Sequence, residues 1–338
     1  MDEFVAEHRD FVIIVAAGNL GPGPGTIGSP ATAKNVISVG ATFNTRAAIN
    51  EYVERKLIYP MGGDENHLAS FSSRGPTMDG RIKPEILAPG TPVLSASAHT
   101  GCGEAIRHGT SMAAPHIAGL AAHIRQHYGG ASAAMVKAIL IQKSSLLPNE
   151  PRDNQGFGLV RLDNFNFFKY EIDLDGHMRF RAGGHAKVTL AWTDDVAPRG
   201  SHAQLVHNVD LEGLRGKTRF YGNGGHGPDV ANNVEQLEGY FDFIQLHGKS
   251  RVAVVSSVPL VEMPLPCDKG EVRVCRKGGW GTQKCSHQWG MCVLTSCDSK
   301  YRLRGGVCIR DVQETESAAS WLWILLIPLF LLLTRKHI

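Results

Sequence analysis

Ser111 sits in the run GTSMAAPHIAG, residues 109–119. A serine hydroxyl is a weak nucleophile and needs a base beside it. The setting suits catalysis nonetheless. Gly109 permits a tight turn with the backbone close to a ligand. Thr110 or Ser111 can cap the helix that the Ala- and Leu-rich residues up to Tyr128 predict, and Gly129-Gly130 would stop that helix. A hydroxyl at that place lies at the positive end of the helix, among free backbone N–H groups. One such N–H can face the oxyanion of a tetrahedral intermediate. A GTS triplet by itself is equally well an N-cap on a buried helix. Asn19 ends VIIVAAGN (12–19) and offers a carboxamide donor. Alone it would be a turn residue closing a strand.

The surrounding strings settle which reading to carry forward. GTSMAAPHIAG resembles the catalytic-serine motif of the subtilisin-like serine proteases (peptidase S8), and VIIVAAGN resembles their oxyanion-asparagine segment. GTIGSPATAKNVISVGAT (25–42) is similar to the part of that family that forms the floor of the specificity pocket. FSSRGPTMDGRIKPEILAPG (71–90) is similar to the stretch between pocket and serine. The resemblance implies that Ser111 is the nucleophile and Asn19 an oxyanion donor. It further implies that Gly28 belongs to the pocket floor and Ala16 and Gly18 to its wall. Protein or peptide substrates follow, and no cofactor is required for the chemistry.

In that family the triad runs Asp, His, Ser along the chain. Only 18 residues precede Asn19, and neither an aspartate nor a histidine motif stands among them. His116 lies about 140° around the predicted helix from Ser111. His108 is nearer but has no evident carboxylate to orient it. The sequence therefore predicts a chain that is inactive or nearly so. It reads as an N-terminally incomplete protease, and the polar start MDEFVAEHRD, with no apolar core of a signal peptide, agrees. The alternative is a catalytically dead, membrane-tethered binding or adhesion protein.

These residues need elements to position them. FVIIVAAG (11–18) and NVISVGAT (35–42) predict parallel strands, SFSS (70–73) a short third strand, and ASAAMVKAILIQKS (131–144) a second helix. The fold class is α/β: the C-terminal half of a doubly wound parallel-sheet domain over 1–147. The texture changes after residue 158. AKVTLAWTDD alternates with Val188, Leu190 and Trp192 on one face, which predicts an antiparallel β-sandwich of jelly-roll type over 159–258. VTLAWTDD, LVHNVDL, YGN and NNVEQLEG resemble the β-sandwich appended to certain alkaline subtilases. Asp194, Asp195, Asn208, Asp210, Asn233 and Glu235 carry oxygens of the kind calcium takes. Structural calcium is thus one expectation, and turn residues bonding their own backbone are the other.

Six of the seven cysteines, Cys267, Cys275, Cys285, Cys292, Cys297 and Cys308, fall in 267–309. Their density predicts a disulfide module and an oxidising compartment rather than zinc, whose paired spacing is missing. Pairing stays open. The uncharged run 318–334 predicts one transmembrane helix, with 335–338 as a cytoplasmic tail. A GPI signal fits less well because no polar spacer precedes the run. The expected location is the secretory pathway or cell surface, single-pass, with the bulk of the chain outside or lumenal. The net charge of +3, with no basic stripe, argues against nucleic acid.

Overall fold

A computed structural model describes residues 1–263 and, beyond them, four strand segments. The chain divides into two compact units, Met1–Met263 and Pro264–Ile338.

The first unit opens with α1 (Asp2–Glu7), β1 (Ile14–Ala16), β2 (Ile37–Phe43), α2 (Arg46–Glu54), β3 (Ile86–Thr91), and the hairpin β4 (Val93–Ala96) and β5 (Glu104–Arg107). The long α3 (Thr110–Tyr128) and α4 (Ala133–Gln142) follow, then β6 (Ser144–Ser145), α5 (Arg152–Gln155) and β7 (Leu159–Val160). These build a sheet in the order β1-β2-β3-β7-β6, parallel except at the β6–β7 edge. The expected strand over 11–18 shrinks to three half-buried residues, because β1 pairs only with β2. No strand forms at 70–73. Ser72 Oγ instead accepts the Ala41 N–H at 3.0 Å and Ser73 Oγ the Leu20 N–H at 3.1 Å, so this segment serves the backbone of its neighbours. The third strand is β3, in a stretch that its prolines disguised.

The remaining elements are β8 (Phe168–Trp192), β9 (Val209–Arg215), β10 (Thr218–Tyr221), β11 (Val234–Ser256) and β12 (Val261–Met263). They form one antiparallel sheet in the order β10-β9-β11-β8-β12. The sheet is rolled: Val252 pairs with Ile172 near one end of β8 and with Trp192 at the other. Helix α4 is buried on every side, against both sheets. One apolar cluster therefore runs from Val39 and Ile86 through Ile117 and Ile139 to Val234 and Val255.

Buried ions bind the two sheets as well. Glu85 accepts from Ser38 N and Oγ, both at 2.7 Å, and pairs with Lys83 and, at 2.9 Å, with Lys137 of α4. Burial works against the charged carboxylate, yet the Lys137 and Lys83 charges hold its pKa below the usual range. Burial also drops the Lys83 ammonium to about 7. Lys137 donates to the Lys34 carbonyl at 2.9 Å, and the Lys34 ammonium pairs with Asp194 at 2.6 Å, both side chains fully buried.

In the second unit, β13 (Gly281–Ser286) pairs with β14 (Met291–Cys297), and β15 (Tyr301–Arg304) with β16 (Val307–Arg310), as antiparallel hairpins. Cys285 and Cys292 are register partners. The expected disulfides and the apolar run 318–334 lie outside what the structure describes. Among the described residues, no helix is long and apolar enough to cross a membrane, and Cys102 is a free, exposed thiol.

Candidate functional site

Helix α3 is set by its apolar stripe. Ala113, Ile117, Ala121 and Ile124 recur at helical spacing and are buried, and the helix packs against β2 and β3. Its N-terminus is anchored by the Gly109 N–H donating to the Gly90 carbonyl at the end of β3, 3.0 Å. The N-cap is Gly109, with no side-chain cap, so neither Thr110 nor Ser111 caps as the sequence suggested. Gly109 has φ +146°, a region that L side chains rarely adopt, and a Cβ there would stand 3.3 Å from Asn19 Nδ2.

Thr110 is fully buried and does something else. Its Oγ1 accepts the Gly18 N–H at 3.1 Å and donates to Asn19 Oδ1 at 2.9 Å, while its N–H donates to the same Oδ1 at 2.9 Å. The Asn19 carboxamide is thus fixed through its oxygen. Its Nδ2 is left beside Gly109, with both N–H donors uncommitted among the described residues. The Ser111 N–H, in the first turn, likewise has no backbone partner inside the helix. Ser111 itself is exposed and follows directly on Thr110, the residue that holds Asn19.

The turn holding Asn19 is bracketed by Ser73. Its N–H donates to the Gly18 carbonyl at 2.9 Å and its Oγ accepts from Leu20. A Cβ on Gly18, at φ +112°, would meet that Oγ at 2.7 Å. The Gly28 N–H donates to the Ala17 carbonyl at 3.1 Å, which lays the 25–31 segment along the end of β1. Ala16, Gly18, Asn19, Gly28 and Ser111 are therefore gathered at the C-terminal end of β1 and the N-terminal end of α3. Sequence reasoning passed over Ser73 and saw Thr110 only as a cap. The signal for Thr110 was its place directly between the glycine and the serine.

No histidine among the described residues hydrogen-bonds Ser111. His108 Nδ1 is engaged with Thr91 Oγ1 at 2.7 Å, and His116 Nδ1 with the Met112 carbonyl at 3.0 Å.

Of the six residues considered for calcium, several are already engaged within the fold, Asn208 donating to Asp210 at 3.0 Å among them. Asp194 is occupied by Lys34 and by the N–H groups of Val206 and His207, at 2.8 and 2.9 Å. Asp195 pairs with Arg9, and Asn233 donates to Asn35 Oδ1 and the Trp192 carbonyl. Glu235 accepts from the Leu211 N–H, and burial first, then Asp229, Asp210 and Glu212, push its pKa up to about 9, a neutral carboxyl. Among the described residues no three His, Cys, Asp or Glu side chains converge as a metal site. Asn208 Oδ1 and Glu235 Oε1 are nevertheless buried with no hydrogen-bond partner among the described residues.

Residues 1–159 match the model of the subtilase family, peptidase S8. The chain is similar to the serine protease AprX of Bacillus subtilis, 36% identical over 45% of this chain and 34% of AprX. It is also similar to pyrolysin of Pyrococcus furiosus, 33% identical over 47% of this chain and 13% of pyrolysin. The chain therefore spans about a third or less of the length of these relatives. Among solved structures, sphericase is 28% identical, with a TM-score of 0.38 over 48% of this chain and 51% of that one.

Proposed function

We propose that the chain, whose residues 1–159 match the subtilase family model, carries the nucleophile half of a serine endopeptidase. Ser111 Oγ attacks the scissile carbonyl of a protein or peptide and forms an acyl-enzyme. The Asn19 amide and the Ser111 N–H take the charge that develops on the carbonyl oxygen. Ala16, Gly18 and Gly28 shape the adjoining pocket. The observation that carries this reading is the Asn19 carboxamide, tied by its oxygen to Thr110 so that its N–H groups stay available beside the serine. A fixed donor is worth more than a mobile one because no reorganisation is needed as the charge forms.

The Ser111 proton needs an acceptor that the described residues do not supply. The chain by itself is therefore nearly inactive, with only the slow turnover that an oxyanion hole can sustain. Labelling with a serine-reactive fluorophosphonate tests this. The chain alone should label poorly, and Ser111→Ala should remove what labelling there is. Strong Ser111-dependent labelling of the chain alone would refute the division of the site.

The competing reading is a binding protein on a dead protease scaffold, and it draws on the same missing base. Co-expression with polypeptide supplying the Asp and His segments separates the two: restored Ser111-dependent hydrolysis supports the enzyme, and none supports the binder. The reading also includes a membrane tether at 318–334 and an extracellular or lumenal position for the bulk of the chain. The uncharged run and the dense cysteines support these assignments.

A further inference from the structure

A cleft of about 750 Å³ opens between the 144–157 segment and the rolled sheet. Its size falls within the range of about 300–1,000 Å³ usual for small-molecule sites. Three cationic side chains line it, Arg152, Lys187 and Arg219, against one carboxylate, Glu238. Arg219 already has a partner in Glu212 at 2.8 Å. The other two are less well served. The Arg152 guanidinium lies over the Phe157 ring at 4.5 Å, and its buried Nε has no hydrogen-bond partner. Lys187 Nζ gives one N–H to the Ser144 carbonyl at 2.6 Å. An ammonium has three.

A buried charge without a hydrogen-bonded partner is unfavourable. Two of the same sign on one cleft add mutual repulsion. Burial lowers the pKa of both groups, and the Arg152 charge lowers that of Lys187 further. Asp229 and Glu238 oppose this through their charges but hydrogen-bond to neither cation. An anion seated between the two would accept from both. The rest of the lining, with Phe220, Tyr221 and Phe241, offers a wall with aromatic faces. A small inorganic oxyanion would leave that wall unused. We infer that this cleft binds an organic anion, a carboxylate carried on an apolar or aromatic body. Such a group could come from a small acid or from the C-terminus of a peptide.

Calorimetric titration of the full chain tests this with four probes: 3-phenylpropionate, N-acetyl-Ala-Phe as the free acid, the same dipeptide as its amide, and inorganic phosphate. Saturable binding of either carboxylate, with the amide about tenfold or more weaker, is expected, since charge-assisted hydrogen bonds dominate such sites. The tighter of the two carboxylates tells a small acid from a peptide end. Arg152→Met and Lys187→Met should each weaken binding about tenfold on the same ground. Glu238→Gln removes an exposed, repelling carboxylate and should tighten binding about threefold, at the scale of a surface charge interaction. That variant protects the test from misfolding, and thermal unfolding of each variant without ligand controls for it further. No saturable binding overturns the inference. So does affinity indifferent to all three substitutions, and so does phosphate binding as tightly as the aromatic acids. None of these readouts depends on proteolytic activity.

Discussion

Lys34 and Asp194 stand 160 residues apart in the chain, 2.6 Å apart in space, and neither side chain reaches solvent. Lys34 Nζ also donates to the carbonyls of Asp195 and Gln204, so all three of its N–H groups are used. Lys34→Met removes them together. Two carbonyls lose a donor, and Asp194 keeps the Val206 and His207 N–H groups and the His207 imidazole, whose Nδ1 stands 3.1 Å from Oδ1. Removing one partner of a buried pair costs about 3–5 kcal/mol, because the other charge stays behind uncompensated. Each kcal/mol shifts Tm by about 2–4 °C in a domain of 150–250 residues, so melting should fall by about 10 °C. Trp192 is a local reporter for denaturant titration. It is buried, and its indole N–H donates to the His207 carbonyl at 3.0 Å, next to the pair. In Lys34→Met/Asp194→Asn the lone charge is gone, so the double variant should recover at least about 1 kcal/mol relative to the sum of the singles. Loss below about 1 kcal/mol in Lys34→Met would mean the pair behaves as a solvated surface ion pair. Additivity within about 0.5 kcal/mol would mean that the two groups do not act on each other. Either result refutes the argument that this pair joins the sheets.

Gly109→Ala places a Cβ in a positive-φ conformation and against Asn19 Nδ2; the denaturant midpoint should report a loss of about 1–3 kcal/mol. Thr110→Val keeps the shape but removes the hydroxyl that joins Gly18 N to Asn19 Oδ1. It should cost about 1–3 kcal/mol and speed hydrogen exchange at the Asn19 side-chain amide, read by NMR. Glu235 gives a pH signature. Its carboxyl ionises near 4.5 when unfolded and at about 9 when folded, so the folded state holds the extra proton between those values and stability falls as pH rises through that window. Lys83, with a folded pKa of about 7 against 10.5, acts with the opposite sign above pH 7. Urea unfolding between pH 5 and 7 avoids Lys83 but not His247, whose pKa burial lowers from 6.5 and which acts against Glu235 in that window. The difference between the wild-type and Glu235→Gln slopes therefore carries the test, and should reach up to about 1.4 kcal/mol per pH unit.

The proposed site was legible through pattern: residue type alone left Ser111 an ordinary helix-start serine and Asn19 an ordinary turn residue, and the strings around them carried the resemblance from which their roles are proposed. Helix α3 was legible for a related reason: Ala113, Ile117, Ala121 and Ile124 keep the helical period, and glycines close both ends. Strand β3 was not. Pro84, Pro89 and Gly90 punctuate KPEILAPG as turn residues would, yet Ile86, Leu87 and Ala88 pair in parallel with Val39, Gly40 and Ala41. SFSS misled in the other direction, since a serine that satisfies a neighbour's backbone looks the same in sequence as one in a ladder.

The rolled sheet shows a different limit. The alternation at Val188, Leu190 and Trp192 revealed one end of β8, but its first half, FKYEIDLDG, packs against the same residues of β11 from the far side. Period-2 patterning tells which face of a strand is apolar; it does not tell that two distant segments share one partner. Buried charge is the least legible of all. Lysine and aspartate are expected at the surface, so Lys34 and Lys137 look like solvated residues until Asp194 and Glu85 are set beside them. The same holds at the candidate site, where Thr110 looks like an ordinary cap until Asn19, 91 residues earlier, is placed against it. In both places the sequence names the group that acts, and only the fold names the group that keeps it in position.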